Sequence, residues 1–185
     1  MSTVPSVAAP PPDLRLSGPR LVLRPGAPAD ADALAVIRSE PEVVRWWRSP
    51  DPVDVIAGEL AGDADETVLI IDVDGTVAGS IQYYEETEPD YRHAAIDIYL
   101  AAAYQRQGLG PESIRVLATY LVEELGHHRL TIDPAAANTA AIRAYERVGF
   151  QPVGVMRKYE RGADGSWHDA LLMDLLSEDL ARLGR

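Results

Sequence analysis

The run Gln105-Arg106-Gln107-Gly108-Leu109-Gly110 constrains this chain more than any other segment. It follows the apolar stretch Ile96 to Leu100 and opens a helical pattern with Pro111 in its first turn. Glycine lets a backbone approach a ligand closely and adopt conformations closed to other residues. A helix start leaves N–H groups without intrahelical partners, and the helix dipole adds positive character there. A strand that ends in such a turn and feeds a helix can therefore hold an anionic group, a diphosphate above all. The same pattern also serves as a plain tight turn before a helix, so the loop needs a second feature before it carries a function.

Composition narrows the classes. A chain of 185 residues suits one domain large enough to bury a substantial core, and 25% charged with 46% hydrophobic residues is an ordinary globular balance. There is no Cys, which excludes disulfides, thiolate metal sites and a cysteine nucleophile. The four His residues (His93, His127, His128, His168) show no metal-ligand spacing, so no metal is expected. Asp72-Val73-Asp74-Gly75 resembles the start of a calcium loop, but Tyr83 stands where the bidentate Glu belongs, and a hairpin turn explains it better. The net charge of −12 argues against nucleic acid, which needs a basic face, and favours a cationic small molecule drawn to a carboxylate-lined cleft. With no basic leader and no apolar run of membrane-spanning length, the chain is expected to be cytoplasmic and to avoid the membrane, as a monomer or homodimer.

Along the chain, the Pro- and Ala-rich residues 1–18 read as a disordered extension, and residues 19–185 as one domain. Arg20 to Arg24 alternates like a strand, and a helix carrying Leu34 and Ile37 follows from Pro28. Asp51-Pro52 reads as an N-cap and first-turn proline before Val53, Ile56 and Leu60. Thr67 to Val73 and Thr76 to Tyr84 form a hairpin across Asp74-Gly75, followed by the acidic loop Glu85 to Asp90. His93 to Leu100 is the strand entering the glycine loop; Ile114, Leu117, Ala118 and Leu121 then recur at helical spacing until Gly126. Arg129 to Ile132 is a strand, Asn138 caps a short helix ending at Gly149, and 151–159 with 168–175 form a last antiparallel pair.

A second motif completes the loop. Asn138, Ala141, Tyr145, Gly149 and Phe150, with Asn138 lying 28 residues after Gly110, form an N-x-x-A-x-x-x-Y-x-x-x-G-F segment. Together with Gln105, Gly108 and Gly110, this order resembles the GNAT superfamily of N-acetyltransferases. The resemblance implies an α/β (α+β) fold: a mixed, mostly antiparallel sheet of six or seven strands with about four helices. It also implies a V-shaped opening between two central parallel strands, where acetyl-CoA is the co-substrate. It places the diphosphate on Gln105, Arg106, Gln107, Gly108, Leu109, Gly110 and Pro111, and the pantetheine and thioester on backbone groups of Ile98, Tyr99 and Leu100. Asn138 and Ala141 would flank the thioester end, and the hydroxyl of Tyr145 would meet the CoA sulfur.

A narrower resemblance joins Val44-Arg45-Trp46-Trp47, the Asp97 strand and the run Thr131-Ile132-Asp133-Pro134 through Glu146. These are similar to aminoglycoside 6′-N-acetyltransferases. The likeness implies an acceptor cleft lined by Trp46, Trp47, Asp97 and Asp133, with Glu85 and Glu86 as looser candidates. Asp97 would orient the substrate ammonium or accept its proton; a carboxylate with a pKa of about 4 needs that value raised, or a water relay, to serve as base. The acidic loop 85–90 is shorter than the tryptophan-rich segment of that family, and 157–170 departs from it. The segment Pro19-Arg20-Leu-Val-Leu-Arg-Pro25 resembles protein N-terminal acetyltransferases instead. Siderophore-type acyltransferases share the double Trp, and a non-catalytic acyl-CoA-binding module is the alternative outside enzymes.

Overall fold

In the computed structural model of the protein, residues 10–47, 51–62, 65–162 and 164–183 are described. Eight strands form one sheet: β1 (Leu16–Ser17), β2 (Val22–Pro25), β3 (Thr67–Val73), β4 (Thr76–Glu86), β5 (His93–Leu100), β6 (Arg129–Ile132), β7 (Gln151–Arg161) and β8 (Trp167–Leu176). The helices are α1 (Ala31–Arg38), α2 (Pro41–Val44), α3 (Val53–Ala61), α4 (Leu109–Glu123), α5 (Thr139–Glu146) and α6 (Ser177–Leu183). The strand order is β1-β2-β3-β4-β5-β6-β8-β7. Every pairing is antiparallel except β5 with β6. That one parallel pair is short: Ala94 faces Leu130 and Ala95 faces Thr131, after which the strands part.

The two faces of the sheet are covered by different helices. On one, Ile114, Leu117, Ala118 and Leu121 of α4 are fully buried against Ile96, Leu69 and Leu130, as their helical spacing predicts. On the other, Leu34, Ile37 and Ile56 from α1 and α3 enclose Ile70 and Tyr99. Burying each such aliphatic side chain contributes about 1.5–3 kcal/mol. Alternation along β5 sends Ile96 to the α4 side and Tyr99 to the α1–α3 side.

Local chemistry sets the turns. Asp74 (φ 51°) and Gly75 (φ 79°) both take the positive φ of a tight hairpin turn, and the Asp72 carboxylate accepts from the Gly75 N–H. Gly126 (φ 72°) follows α4 in the left-handed conformation expected there. Three expectations change. The proposed disordered extension is shorter, because Leu16–Ser17 pairs with β2 and Leu14 and Leu16 are held against the core; residues 1–9 lie outside the described residues. Asp51 does not cap α3: its carboxylate is drawn 2.9 Å from the buried Arg38 guanidinium, and Pro52 takes the cap position. The acidic segment is not all loop, since β4 runs through Glu86 and pairs Glu85 with Ala94. The short β1, α2 and α6 account for the excess over the expected element count.

Candidate active site

The divergence of β5 from β6 creates the site. Asp97 lies two positions beyond the last paired residue of β5, and Asp133 two beyond that of β6, so both carboxylates flank the start of the opening. Asp97 keeps a solvent-open edge, yet protein surrounds it on its other sides. Burial, then the carboxylates of Asp133, Glu66 and Glu160, push its pKa up to about 7. Burial also raises Asp133, while the Tyr159 hydroxyl beside it pulls in the opposite sense. Glu160 is raised by burial and by Asp133. Such a group of carboxylates, open to water on one side, is suited to an ammonium-bearing ligand.

The backbone of β5 presents its free groups to the same opening. The Ala101 N–H donates to Ala78 O on β4, so by strand alternation Tyr99 and Asp97 also turn their N–H groups toward β4. Ile98 and Leu100 therefore turn theirs into the opening. Of the three backbone positions expected to contact the pantetheine, Tyr99 is the one directed away. Its side chain is a buried pillar: the hydroxyl accepts from Arg38 Nε at 3.0 Å, and the ring meets Trp47 edge-on at 4.6 Å between centroids. Arg38 is itself held by Asp51 and Glu59.

Trp46 and Trp47 line a cleft of about 690 Å³ with Ala135–Ala137 on one wall and Glu160, Trp167 and Asp169 on another. The Arg45 guanidinium lies 4.6 Å over the Trp46 ring. That second wall belongs to the β7–β8 hairpin, whose register shifts at a bulge between Met156 and Glu160. In that bulge Lys158 takes φ 52°, and its N–H is held by the Asp169 carboxylate at 2.8 Å. Glu66, Tyr159, Glu160, Trp167 and Asp169 were not among the sequence-derived site residues. Tyr159, Glu160, Trp167 and Asp169 stand on the β7–β8 hairpin outside both motifs, and the Tyr159 hydroxyl comes beside Asp133.

Glu85 and Glu86 are not brought to the opening. Glu85 pairs with Ala94 at the closed end of the β5–β6 pair, and its carboxylate is 2.7 Å from Nε2 of the buried His127. Glu86 accepts the Glu88 N–H. The acidic cluster in the sequence thus resolves into a half-buried hydrogen-bond partner of His127 and a local turn.

At the glycine loop, Gly108 (φ 81°, ψ 1°) caps α4 without a side-chain acceptor, leaving the N–H groups of Leu109 and Gly110 unclaimed by a cap. Leu109 sends its side chain into the core and Pro111 has no N–H, so these two contribute only through backbone placement. Around Gly110 the nearest atom to an added Cβ would be Leu100 Cδ1 at 3.7 Å, which leaves that side open. The Gln105 amide is turned inward to Leu100 O at 2.9 Å, and the Gln107 amide to Ala103 O at 2.6 Å; Arg106 is exposed. Asn138 Oδ1 accepts from Ala141 N at 3.1 Å, capping α5. Helix α5 in turn buries Tyr145 beside Phe150, with 6.4 Å between ring centroids. Burial, then Asp97 and Asp133, keep the Tyr145 phenol protonated well above its ordinary range.

A family model described as an acetyltransferase (GNAT) domain matches residues 20–151, which contain both motifs and the split strands. The chain belongs to the GNAT family. Its relatives within that family diverge in acceptor. The [ribosomal protein bS18]-alanine N-acetyltransferase of Escherichia coli (strain K12) is 41% identical over 75 residues, 39% of this chain and 47% of that one. The aminoglycoside N(6′)-acetyltransferase type 1 of Klebsiella pneumoniae is 33% identical over 133 residues, 62% of this chain and 65% of its own. YjcK of Bacillus subtilis (strain 168) is 26% identical over 106 residues, and the match spans 57% of this chain and 58% of its length. Among solved structures, the GNAT protein AAC(6′)-Ib in complex with paromomycin and acetyl-CoA superposes with a TM-score of 0.74. It is 24% identical, over 88% of this chain and 97% of its own, which establishes the shared fold. Among the described residues, no helix is long and apolar enough to cross a membrane.

Proposed function

We propose that this GNAT protein moves the acetyl group of acetyl-CoA to a primary amine of a small polycationic substrate, with the 6′-amine of an aminoglycoside as the favoured acceptor. The observation that carries this reading is the placement of Asp97 and Asp133 on either side of the point where β5 and β6 part. A diphosphate fits the loop because the N–H groups at the start of α4 lack a side-chain cap and the face of Gly110 is open. The N–H groups of Ile98 and Leu100 would hold the arm that enters the opening.

An amine attacks only as the free base. Asp97, with a pKa near 7, is matched to taking the ammonium proton, directly or through a water, at neutral pH. Asp133 and Glu160 would anchor other ammonium groups, and the Trp46–Trp47 wall would cover the sugar rings. The Tyr145 phenol, held in its protonated form, would hydrogen-bond the sulfur as the C–S bond breaks and its charge develops.

The test is thiol release from acetyl-CoA in the presence of kanamycin-type compounds bearing a 6′-amine and of analogues bearing a 6′-hydroxyl. Release with the former and not the latter is expected. Equally low release with both, alongside turnover of Ala-initiated peptides, would establish the protein N-terminal reading that the 75-residue likeness to the bS18 enzyme favours.

A further inference from the structure

We propose that Arg20, which stands at the start of the domain and outside both motifs, is a positioning residue for the CoA diphosphate. The proposal rests on the reading of the glycine loop as the diphosphate seat. Arg20 reaches 87 residues along the chain: its Nη1 donates to the Gln107 carbonyl at 2.8 Å. Its Nε donates to Glu112 Oε2 at 2.8 Å, its Nη2 lies 2.7 Å from the same oxygen, and its backbone N–H donates to Glu112 Oε1 at 2.8 Å. The guanidinium is thus a bracket between the first turn of α4 and one peptide of the loop.

That peptide is the one that needs orienting. Arg106 (φ 60°) and Gly108 (φ 81°) both adopt left-handed backbone, so the Gln107 peptide sits between two sharp reversals, and among the described residues no backbone hydrogen bond sets its plane. In a trans peptide the C=O and the following N–H point in opposite directions. Fixing the Gln107 oxygen on Arg20 therefore aims the Gly108 N–H away from Arg20, and this N–H immediately precedes the uncapped N–H groups of Leu109 and Gly110. Turned the other way, the same peptide would present a carbonyl oxygen to the diphosphate. Gly108 is also where the bracket is tight, since an added Cβ would lie 3.3 Å from Arg20 Nη2.

A second consequence is electrostatic. Glu112 suits the helix dipole in the first turn of α4, but a bare carboxylate there would repel a diphosphate. Arg20 neutralises it, and Glu112 is only 12% exposed while Arg20 is 51% exposed. An ion pair with one partner this open adds little to stability. Its main function is geometric, and the charge cancellation comes second. Lysine cannot replace it, because one ammonium does not reproduce a planar fork reaching two acceptors in different directions.

The experiment is titration calorimetry of the full chain with CoA and with pantetheine, the latter read by displacement. Wild-type protein should bind CoA much more tightly than pantetheine; equal affinities would overturn the loop reading itself, whatever Arg20 does. With that established, Arg20→Met should weaken CoA at least about tenfold and leave pantetheine within about twofold, with Arg20→Lys between the two. Unchanged CoA affinity would overturn the proposal. So would a loss shared equally by both ligands, because that is the mark of a general structural role. In Arg20→Met/Glu112→Gln, CoA affinity should remain low; full recovery would assign the effect to the Glu112 charge and overturn the peptide-orientation role.

Discussion

The role proposed for Asp97 carries a measurable titration. Its carboxyl is held near pH 7 by burial first and by three neighbouring carboxylates second. Because the base form is the deprotonated one, kcat/KM should climb with pH below about 7 and level off above it. Bound ammonium groups favour the charged carboxylate, so the corresponding limb in kcat should lie at lower pH than that in kcat/KM. Asp97→Asn should lower turnover by about 10²- to 10⁴-fold and remove that limb; a variant with an unchanged profile would place the titration elsewhere. Stability follows the opposite sense. The folded protein holds this proton more tightly than the unfolded chain, so the group contributes stability at low pH that is lost between the ordinary carboxylate pKa of about 4 and the folded value. Asp97 at position 97 could be placed on its strand face from alternation alone. The raised pKa could not, because Asp133, Glu160 and Glu66 come from three other parts of the chain.

At the scale of elements, the end of β5 is fixed by its neighbour β4. Gly79 faces Leu100, and a Cβ on Gly79 would clash with Tyr99 O and lie 2.9 Å from Leu100 Cα, both backbone atoms that cannot swing aside. Gly79→Ala should therefore displace the strand end that feeds the glycine loop. Overpacking of this kind destabilises by about 1–3 kcal/mol, a fall in Tm of several degrees at this chain length, and CoA affinity should drop with it. Calorimetric melting checks this, and an unshifted Tm would mean that β4 and β5 separate without strain. The hairpin β3–β4, the register of α4 and the Asn138 cap were legible because each depends on contacts within a few residues. The bulge at Lys158 was not, since its N–H is satisfied by Asp169 on the partner strand.

Across the whole molecule, the net charge of −12 draws cations, but it is the fold that sorts which carboxylates meet them. Glu85 is committed to His127, whereas Glu160 stands in the cleft wall with the tryptophans. Glu160→Gln should weaken capture of a polycation at low salt. The difference from wild type should shrink toward 1 M salt, as the Debye length falls from about 10 Å at 0.1 M to about 3 Å; a salt-independent KM would show that Glu160 makes a dry, direct contact or none. The sequence by itself determined the glycine loop, the helix it opens, the capped α5 and the family they mark. These follow from steric and dipolar rules that act over one turn or one reversal of the chain. That Asp97 and Asp133 line the opening is what the family resemblance implied; only the tertiary structure decided that β5 and β6 part after two paired residues, that Tyr159 and Glu160 join Asp133, and that Arg20 holds Gln107. Those outcomes depend on hydrogen-bond partners and electric fields brought together from distant segments, which no local pattern encodes.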